Sequence, residues 1–216
     1  MDVRIVDARP EHVPFVAWVM LTAARSHLER GLWDFFVGGA ESGCLRFLEA
    51  LAATSQSHWA HYSTFIVAEV GGRPASALCG YFEAEHGMAT GTLTNGVQEA
   101  SRVVGMTEED VQVGWQRAGS IAHVAPEHAP EVWVVENVAT LPEFRRRGLV
   151  ERLLAEILDR GRARGAAIAD IGCLIGNDGA QRAYEKAGFK VIGQKLLPEF
   201  EAVYKCPGIR SLSQTL

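Results

Sequence analysis

The strongest constraint on the fold is a strand, an arginine-rich turn and a helix that follow one another without interruption. Val132–Thr140 is an apolar run typical of a buried strand, and Pro142 ends it because proline cannot donate to a strand ladder. From Gly148 to Arg164, leucine and isoleucine recur on one helical face, and Gly165 then supplies a left-handed C-cap. This unit predicts an α/β core built on a central sheet.

The rest of the chain predicts more strands and helices within a single domain over residues 1–216. Gly71-Gly72 joins two strands and predicts a hairpin. The segment from Glu83 to Glu131, rich in turn residues, is interpreted as an insertion or lid. We predict strands at Val3–Asp7, Thr64–Val70, Pro74–Phe82, Ala166–Ile175, Lys190–Lys195 and Glu199–Lys205, and helices at Glu11–Glu29, Gly39–Ser55, Glu108–Ile121 and Asn177–Ala187.

Composition excludes several classes of protein. With 48% hydrophobic and 22% charged residues, the chain has the apolar mass of a globular core, which rules out disorder, collagen and coiled coil. A net charge of -5 argues against nucleic acid as the main partner. Val13 to Ala24 is too short to span a bilayer and follows no positive leader, so we expect no membrane partner and a cytoplasmic location. Without CxxC or metal-ligand spacing, we expect no metal and reduced, buried thiols at Cys44, Cys79, Cys173 and Cys206.

The arginine-rich turn from Arg145 to Val150 has the features of an anion site. The first turn of a helix has free N–H groups and a partial positive charge, and Gly148 lacks the Cβ that would keep a phosphate from the backbone. Neither the P-loop pattern GxxxxGK[ST] nor the dinucleotide pattern GxGxxG is present. The turn therefore predicts a phosphate site, and the alternative is a solvated helix start.

Two motifs, in this order, resemble the GCN5-related N-acetyltransferase (GNAT) family. Arg145–Val150, RRRGLV, is similar to the acetyl-CoA motif of Arg or Gln, two residues, Gly, one residue, then Gly or Ala, although Val150 replaces the small residue. The downstream signature begins at Asn177 as NDGAQRAYEKAGF. The resemblance implies an α/β (α+β) fold with a mixed, mostly antiparallel sheet and helices on both faces. It also implies direct transfer of an acetyl group, in a ternary complex, from the co-substrate acetyl-CoA to a primary amine of a small molecule or peptide.

The resemblance further implies which residues bind the coenzyme. Main-chain groups of the signature strand would pair with the pantetheine arm like an extra strand, and amides of the arginine-rich turn would bind the pyrophosphate with help from the arginine side chains. Asn177 would cap its helix and contact the pantetheine, or cap the helix only. The implied coenzyme-binding residues are Val138, Ala139, Thr140, Arg145, Arg146, Arg147, Gly148, Leu149, Val150, Asn177 and Ala180.

Two residues are expected to move protons. Tyr184 lies on the same helical face as Asn177, at the place where the family's tyrosine protonates the departing thiolate. Glu136 interrupts an apolar strand, where a carboxylate is costly unless used or paired, and strand alternation groups it with Val134 and Val138. We expect Glu136 to be the general base or the head of a water relay. The alternatives are a packing role for Tyr184 and a salt bridge to an arginine for Glu136.

The charge distribution bears on the acceptor amine. Glu83 to Glu131 contains eight acidic residues and two arginines, so we hypothesise that this insertion faces the acceptor and favours a cationic amine. The histidines, His128 among them, are expected to have local polar or core roles, because no set of ligands at zinc spacing occurs. The acceptor's identity, the acyl chain and a homodimer stay open. The alternative functions are a non-catalytic acyl-CoA-binding regulatory domain and a phosphate-binding module for another ligand.

Overall fold

Seven strands form one mixed sheet in the computed structural model, which describes residues 2–216. The strands are β1 (Val3–Asp7), β2 (Phe65–Val70), β3 (Arg73–Phe82), β4 (Trp133–Thr140), β5 (Ile168–Leu174), β6 (Lys190–Leu196) and β7 (Gly208–Thr215). Their order is β1-β2-β3-β4-β5-β7-β6, with β4 and β5 parallel and the other described pairs antiparallel. The predicted mixed, mostly antiparallel sheet is therefore confirmed, as is the hairpin at Gly71-Gly72.

Helices cover both faces of this sheet. They are α1 (Val13–Arg25), α2 (Leu32–Val37), α3 (Glu41–Ala52), α4 (Glu83–His86), α5 (Thr92–Val104), α6 (Glu108–Ala118), α7 (Ile121–Val124), α8 (Leu149–Ala163), α9 (Asp178–Lys186) and α10 (Pro198–Tyr204). One buried cluster joins α1, α2, α3 and α5 to the sheet, and another lies under α8 on the opposite face. The four cysteines are buried and free, as predicted. Among residues 2–216, no helix is long and apolar enough to cross a membrane.

The C-terminal region differs from the prediction. Glu199–Lys205 was expected to form a strand, but Pro198–Tyr204 is the helix α10, begun by a proline at its first position. Phe200 and Tyr204 are one helical turn apart and stack at 4.3 Å in the core, a spacing that suits a helix and not a strand. The last strand is β7, which inserts between β5 and β6.

The first predicted helix is shorter than expected, and several helices, α2 and α5 among them, were not predicted. Glu11–Glu29 was expected to be helical, but α1 ends at Arg25 because Ser26 adopts a φ of 57°, and the separate helix α2 follows. In the segment Glu83 to Glu131, α5 was not predicted and packs on α3, while Arg117 of α6 donates to the carbonyl oxygen of Phe35 at 2.8 Å. The segment thus belongs to the helical layer on the α1 face of the sheet.

The close approach of β6 and β7 leads to a test of the corrected C-terminal region. A Cβ on Gly208 would overlap the carbonyl oxygen of Lys195, which is backbone and cannot move aside without disturbing β6. We expect Gly208→Ala to lower the free energy of unfolding by about 2 kcal/mol or more, measured by chemical denaturation. Gly193→Ala is the control, because a Cβ there meets nothing within 4 Å. Equal effects of the two variants would contradict the placement of β7 beside β6.

Candidate functional site

The main chain of β4 is available on one side because β4 and β5 separate. The two strands pair only between Trp133–Val135 and Ala169–Ile171, and beyond Val135 they diverge. The opposite side of β4 stays paired with β3 as far as Thr140. An extended ligand can therefore lie along β4 and take the hydrogen bonds that β5 does not. This is the arrangement that the sequence resemblance implied for residues 138–140.

A bulge at Asn137 decides which β4 side chains face the resulting cleft. Asn137 has a φ of 55°, and the register between β3 and β4 shifts at this point. Val134 belongs to the cluster on the α1 face, whereas Val138 packs against the cluster under α8. The prediction that Glu136 and Val138 share a face is therefore wrong, because the extra residue reverses the alternation.

The cleft between the separated strands has a volume of about 560 Å³ and is bounded by α1, α2 and α9. Nine of the predicted site residues line it, namely Glu136, Val138, Ala139, Thr140, Arg145, Val150, Asn177, Ala180 and Tyr184. The other four, Arg146, Arg147, Gly148 and Leu149, belong to the adjoining turn and do not line it. The structure thus brings together, across three separate elements, residues that are far apart in the sequence.

The arginine-rich turn presents main-chain donors at the start of α8. Gly148 is the N-cap residue with a φ of 73°, and the helical hydrogen bonds begin when Arg152 N–H donates to its carbonyl at 3.2 Å. The preceding N–H groups of the first turn lie ahead of this bond and are the donors that anions use. Arg145 Nε donates to the Thr140 carbonyl at 3.2 Å, which fixes the turn to the end of β4. The Leu149 side chain is buried in the core, so only its main chain can contact a ligand.

Asn177 and Tyr184 lie on the face of α9 that borders the cleft. The Asn177 Oδ1 atom accepts from Ala180 N–H at 3.1 Å, which confirms the predicted N-cap, and its Nδ2 donates to the Ser26 hydroxyl at 2.6 Å. The Tyr184 side chain is 6% exposed, and its burial raises the pKa of the phenol, with Cys173 and Glu136 acting in the same direction. Tyr184 is therefore protonated at neutral pH and can donate a proton into the cleft.

Glu136 lines the cleft from β4 and is bound by a tyrosine. The Tyr81 hydroxyl donates to Glu136 Oε2 at 3.0 Å. Burial raises the pKa of Glu136, although the Tyr81 hydrogen bond and His128 act to lower it. The alternative of a salt bridge to an arginine is wrong, since no such pair involves Glu136 among residues 2–216. A carboxyl with a raised pKa is a stronger base once ionised.

A pair of polar residues that sequence reasoning missed lies beside Glu136. His128 lines the cleft, and its Nδ1 hydrogen-bonds Asp170 Oδ2 at 3.0 Å. Burial opposes a charge on His128, yet the hydrogen bond to Asp170 and the charge of Glu136 raise the pKa of the imidazole overall. The sequence feature that could have revealed this pair is Asp170, which, like Glu136, is a carboxylate within an apolar strand. Its partner is 42 residues away in the chain, so the pairing itself depends on the fold.

The acidic residues of the insertion do not face the cleft. None of the eight lines the cleft in the described part of the chain, so the hypothesis that these charges face the acceptor and favour a cationic amine is wrong. Glu85 and Glu127 instead form ion pairs with basic residues outside the segment, at 2.7 and 2.9 Å. The residues that the segment does contribute to the cleft are Ile121, Pro126 and His128.

Comparisons with known proteins agree with this geometry. The N-acetyltransferase from Staphylococcus aureus Mu50 is 21% identical with a TM-score of 0.69, over 98% of this chain and 100% of that chain. A polyamine N-acetyltransferase from Drosophila melanogaster, described as forming N-acetylagmatine, is 18% identical with a TM-score of 0.56, over 100% of both chains. At these identities the likeness shows the fold alone. No sequence among the curated proteins matches.

The match to a family model is more informative than the structural likeness, which shows the fold alone. The model of the acetyltransferase (GNAT) family matches residues 28–189, which is well over half of the chain. The matched range contains β4, the arginine-rich turn and α9, the three elements that build the cleft. The chain therefore belongs to the GNAT family of N-acetyltransferases.

Proposed function

We propose that this protein transfers an acetyl group from acetyl-CoA directly to a primary amine that is bound in the same cleft. The observation that carries the proposal is the convergence of three features on one cavity. These are the open edge of β4, the main-chain donors at the start of α8, and the two proton-carrying side chains Glu136 and Tyr184. Such a cavity can bind a long phosphorylated ligand and carry out proton transfer at its end.

The residues present fit coenzyme A. The main chain of Val138–Thr140, unpaired with β5, would bind the pantetheine arm as an added strand. Amides of Arg145–Val150 would bind the diphosphate, because a Cβ position on Gly148 meets nothing within 4 Å and the backbone is open to approach. Asn177 and Ala180 form the wall beside the arm. The branched Val150 side chain lines the cleft and narrows it at the turn.

Acetyl-CoA supplies a thioester carbonyl, and the protein's own residues carry out the proton transfers. Alkylammonium ions have a pKa of about 10, so a base must remove a proton before the amine nitrogen can attack at neutral pH. Glu136 would take this proton, directly or through water. When the carbon–sulfur bond breaks, the Tyr184 hydroxyl would donate its proton to the thiolate sulfur. The nitrogen then loses its second proton as the neutral amide forms, and this proton restores the Tyr184 hydroxyl, directly or through solvent. The proton held by Glu136 passes to solvent.

Thermal unfolding with coenzyme A, followed by an assay of thiol release with a panel of amines, tests the proposal. A ligand at 100 times its Kd stabilises the native state by about 2.7 kcal/mol, so both coenzyme A and acetyl-CoA should raise the Tm. Thiol release should then require an amine. Binding without acetylation of any amine would support the regulatory acyl-CoA-binding alternative. No stabilisation by either compound would overturn the proposal.

Two glycines at opposite ends of α8 allow a matched pair of variants that tests whether the arginine-rich turn binds the diphosphate. Gly148 and Gly165 have φ of 73° and 87°, and a Cβ on either meets nothing within 4 Å. Gly148→Ala and Gly165→Ala should therefore cost similar backbone strain. We expect only Gly148→Ala to weaken coenzyme A binding, by about tenfold, the equivalent of about one hydrogen bond, in isothermal titration calorimetry. Equal affinities of the two variants would show that the turn does not bind the diphosphate.

A further inference from the structure

One end of the cleft is apolar and aromatic. It lies at Val134, the end of β4 away from Thr140 and the arginine-rich turn. Trp33 and Trp59 line this end, with ring centroids 6.3 Å apart and planes inclined by 35°. We call this the acceptor end, and it is lined by Trp33, Trp59, His128, Val134 and Glu136.

The acceptor end offers one carboxylate to a cation. Glu136 is the one acidic residue that lines the cleft within residues 2–216. Asp170 lies close by but does not line the cleft, and its Oδ2 atom is engaged by His128 at 3.0 Å. A substrate with a single ammonium group therefore has a counter-ion, whereas a second ammonium group at this end would be desolvated without one.

His128 adds to the discrimination against a second ammonium group. It faces Asp170 from β5, Glu136 from β4 and Glu83 just beyond β3, and together these groups raise the pKa of the imidazole against the opposing effect of burial. The ring therefore takes up a proton more readily than a free imidazole does. The protonated ring would repel a second cation in the substrate, while an apolar group would pack beside Trp33 and Trp59.

From this geometry we infer that the acceptor is a primary monoamine with an apolar, preferably aromatic, body, and not a polyamine. The inference rests on the proposed function, because it assigns the substrate class of the same cleft. It separates this chain from the polyamine N-acetyltransferase that shares its fold. The ammonium group would lie at Glu136, and the body of the amine would lie against Trp33 and Trp59 where they line the cleft.

Two amines of the same length provide the sharpest test. Hexylamine and 1,6-diaminohexane differ by one ammonium group at the far end of an identical chain. With saturating acetyl-CoA, we expect kcat/KM for hexylamine to exceed that for the diamine by about tenfold or more, because one charge is left without a partner. Phenethylamine should equal or exceed hexylamine, and spermidine should be poor. Thiol release measures all four.

A substitution at Ile121 can shift the substrate preference from the monoamine towards the diamine. Ile121 is half-buried at the start of α7 and lines the cleft. Ile121→Asp adds a second carboxylate there, so the ratio of diamine to hexylamine should rise about tenfold, and Ile121→Asn, of nearly the same size but uncharged, should not change it. A wild-type preference for the diamine or spermidine would overturn the inference and leave the proposed function intact. Coenzyme A binding without acetylation of any amine would instead remove the proposed function, and the inference with it.

Discussion

Replacing Tyr184 with phenylalanine is expected to lower kcat by about 100-fold or more while the Kd for coenzyme A stays unchanged. The phenol is the proposed proton source on α9, and its burial raises its pKa, so it is protonated at neutral pH when the thiolate would form. Removing one oxygen leaves the ring in place, including its edge-on contact with Phe189. The loss should therefore concern proton transfer and not packing. Steady-state kinetics and calorimetric titration measure the two quantities separately.

A second buried tyrosine provides the control for this prediction. Tyr204 on α10 is also almost fully buried, its pKa is also raised by burial, and its hydroxyl donates to the Ala118 carbonyl at 3.2 Å, away from the cleft. Tyr204→Phe should lower the free energy of unfolding by about 1 kcal/mol and leave kcat unchanged. If Tyr184→Phe showed this same pattern, Tyr184 would have only a packing role.

The part of the fold that could be predicted from the sequence is the part that local signals determine. The strand–turn–helix unit from Val132 to Arg164 has strong periodicity, a proline stop and glycines at both helix ends, so the structure confirms it closely. The helices α2 and α5 and the strand β7 have weaker local patterns, and tertiary contacts decide them. Glu199–Lys205 was expected to be a strand, but the proline at the first position of α10 and the helical spacing of Phe200 and Tyr204 favour a helix.

The cleft also divides into features that local sequence determines and features that tertiary contacts determine. The half proposed to bind the coenzyme follows from contiguous motifs around Arg145 and Asn177, which local spacing reveals. Its acceptor end depends on contacts between distant segments, such as His128 with Asp170, and on a bulge at Asn137 that strand alternation cannot anticipate. Charge counting also failed, because none of the acidic residues of the insertion lines the cleft, and two of them, Glu85 and Glu127, form ion pairs elsewhere.

Replacing Glu136 with glutamine is expected to slow acetyl transfer by about 100-fold or more and to raise folded stability above neutral pH. Burial raises the pKa of Glu136, so the native state binds this proton more tightly than the unfolded state does. The carboxyl therefore favours folding at low pH, and this contribution is lost as the pH rises through the native pKa. Glutamine stays neutral throughout, and its amide oxygen can still accept the Tyr81 hydrogen bond. Chemical denaturation across the pH range should show the variant's advantage growing with pH.

The pH profile of kcat/KM tests whether Glu136, and not one of its neighbours, is the general base. In the wild type, activity should fall on the acid side at a pH above the range of an ordinary carboxyl, because protonated Glu136 cannot act as a base. This acid limb should disappear in Glu136→Gln. Glu83→Gln removes a nearby buried carboxylate that does not line the cleft, so it should retain the limb and most of the activity. A limb that persisted in Glu136→Gln would belong to another group, and His128, which Asp170 orients at the same end of the cleft, would then be the base.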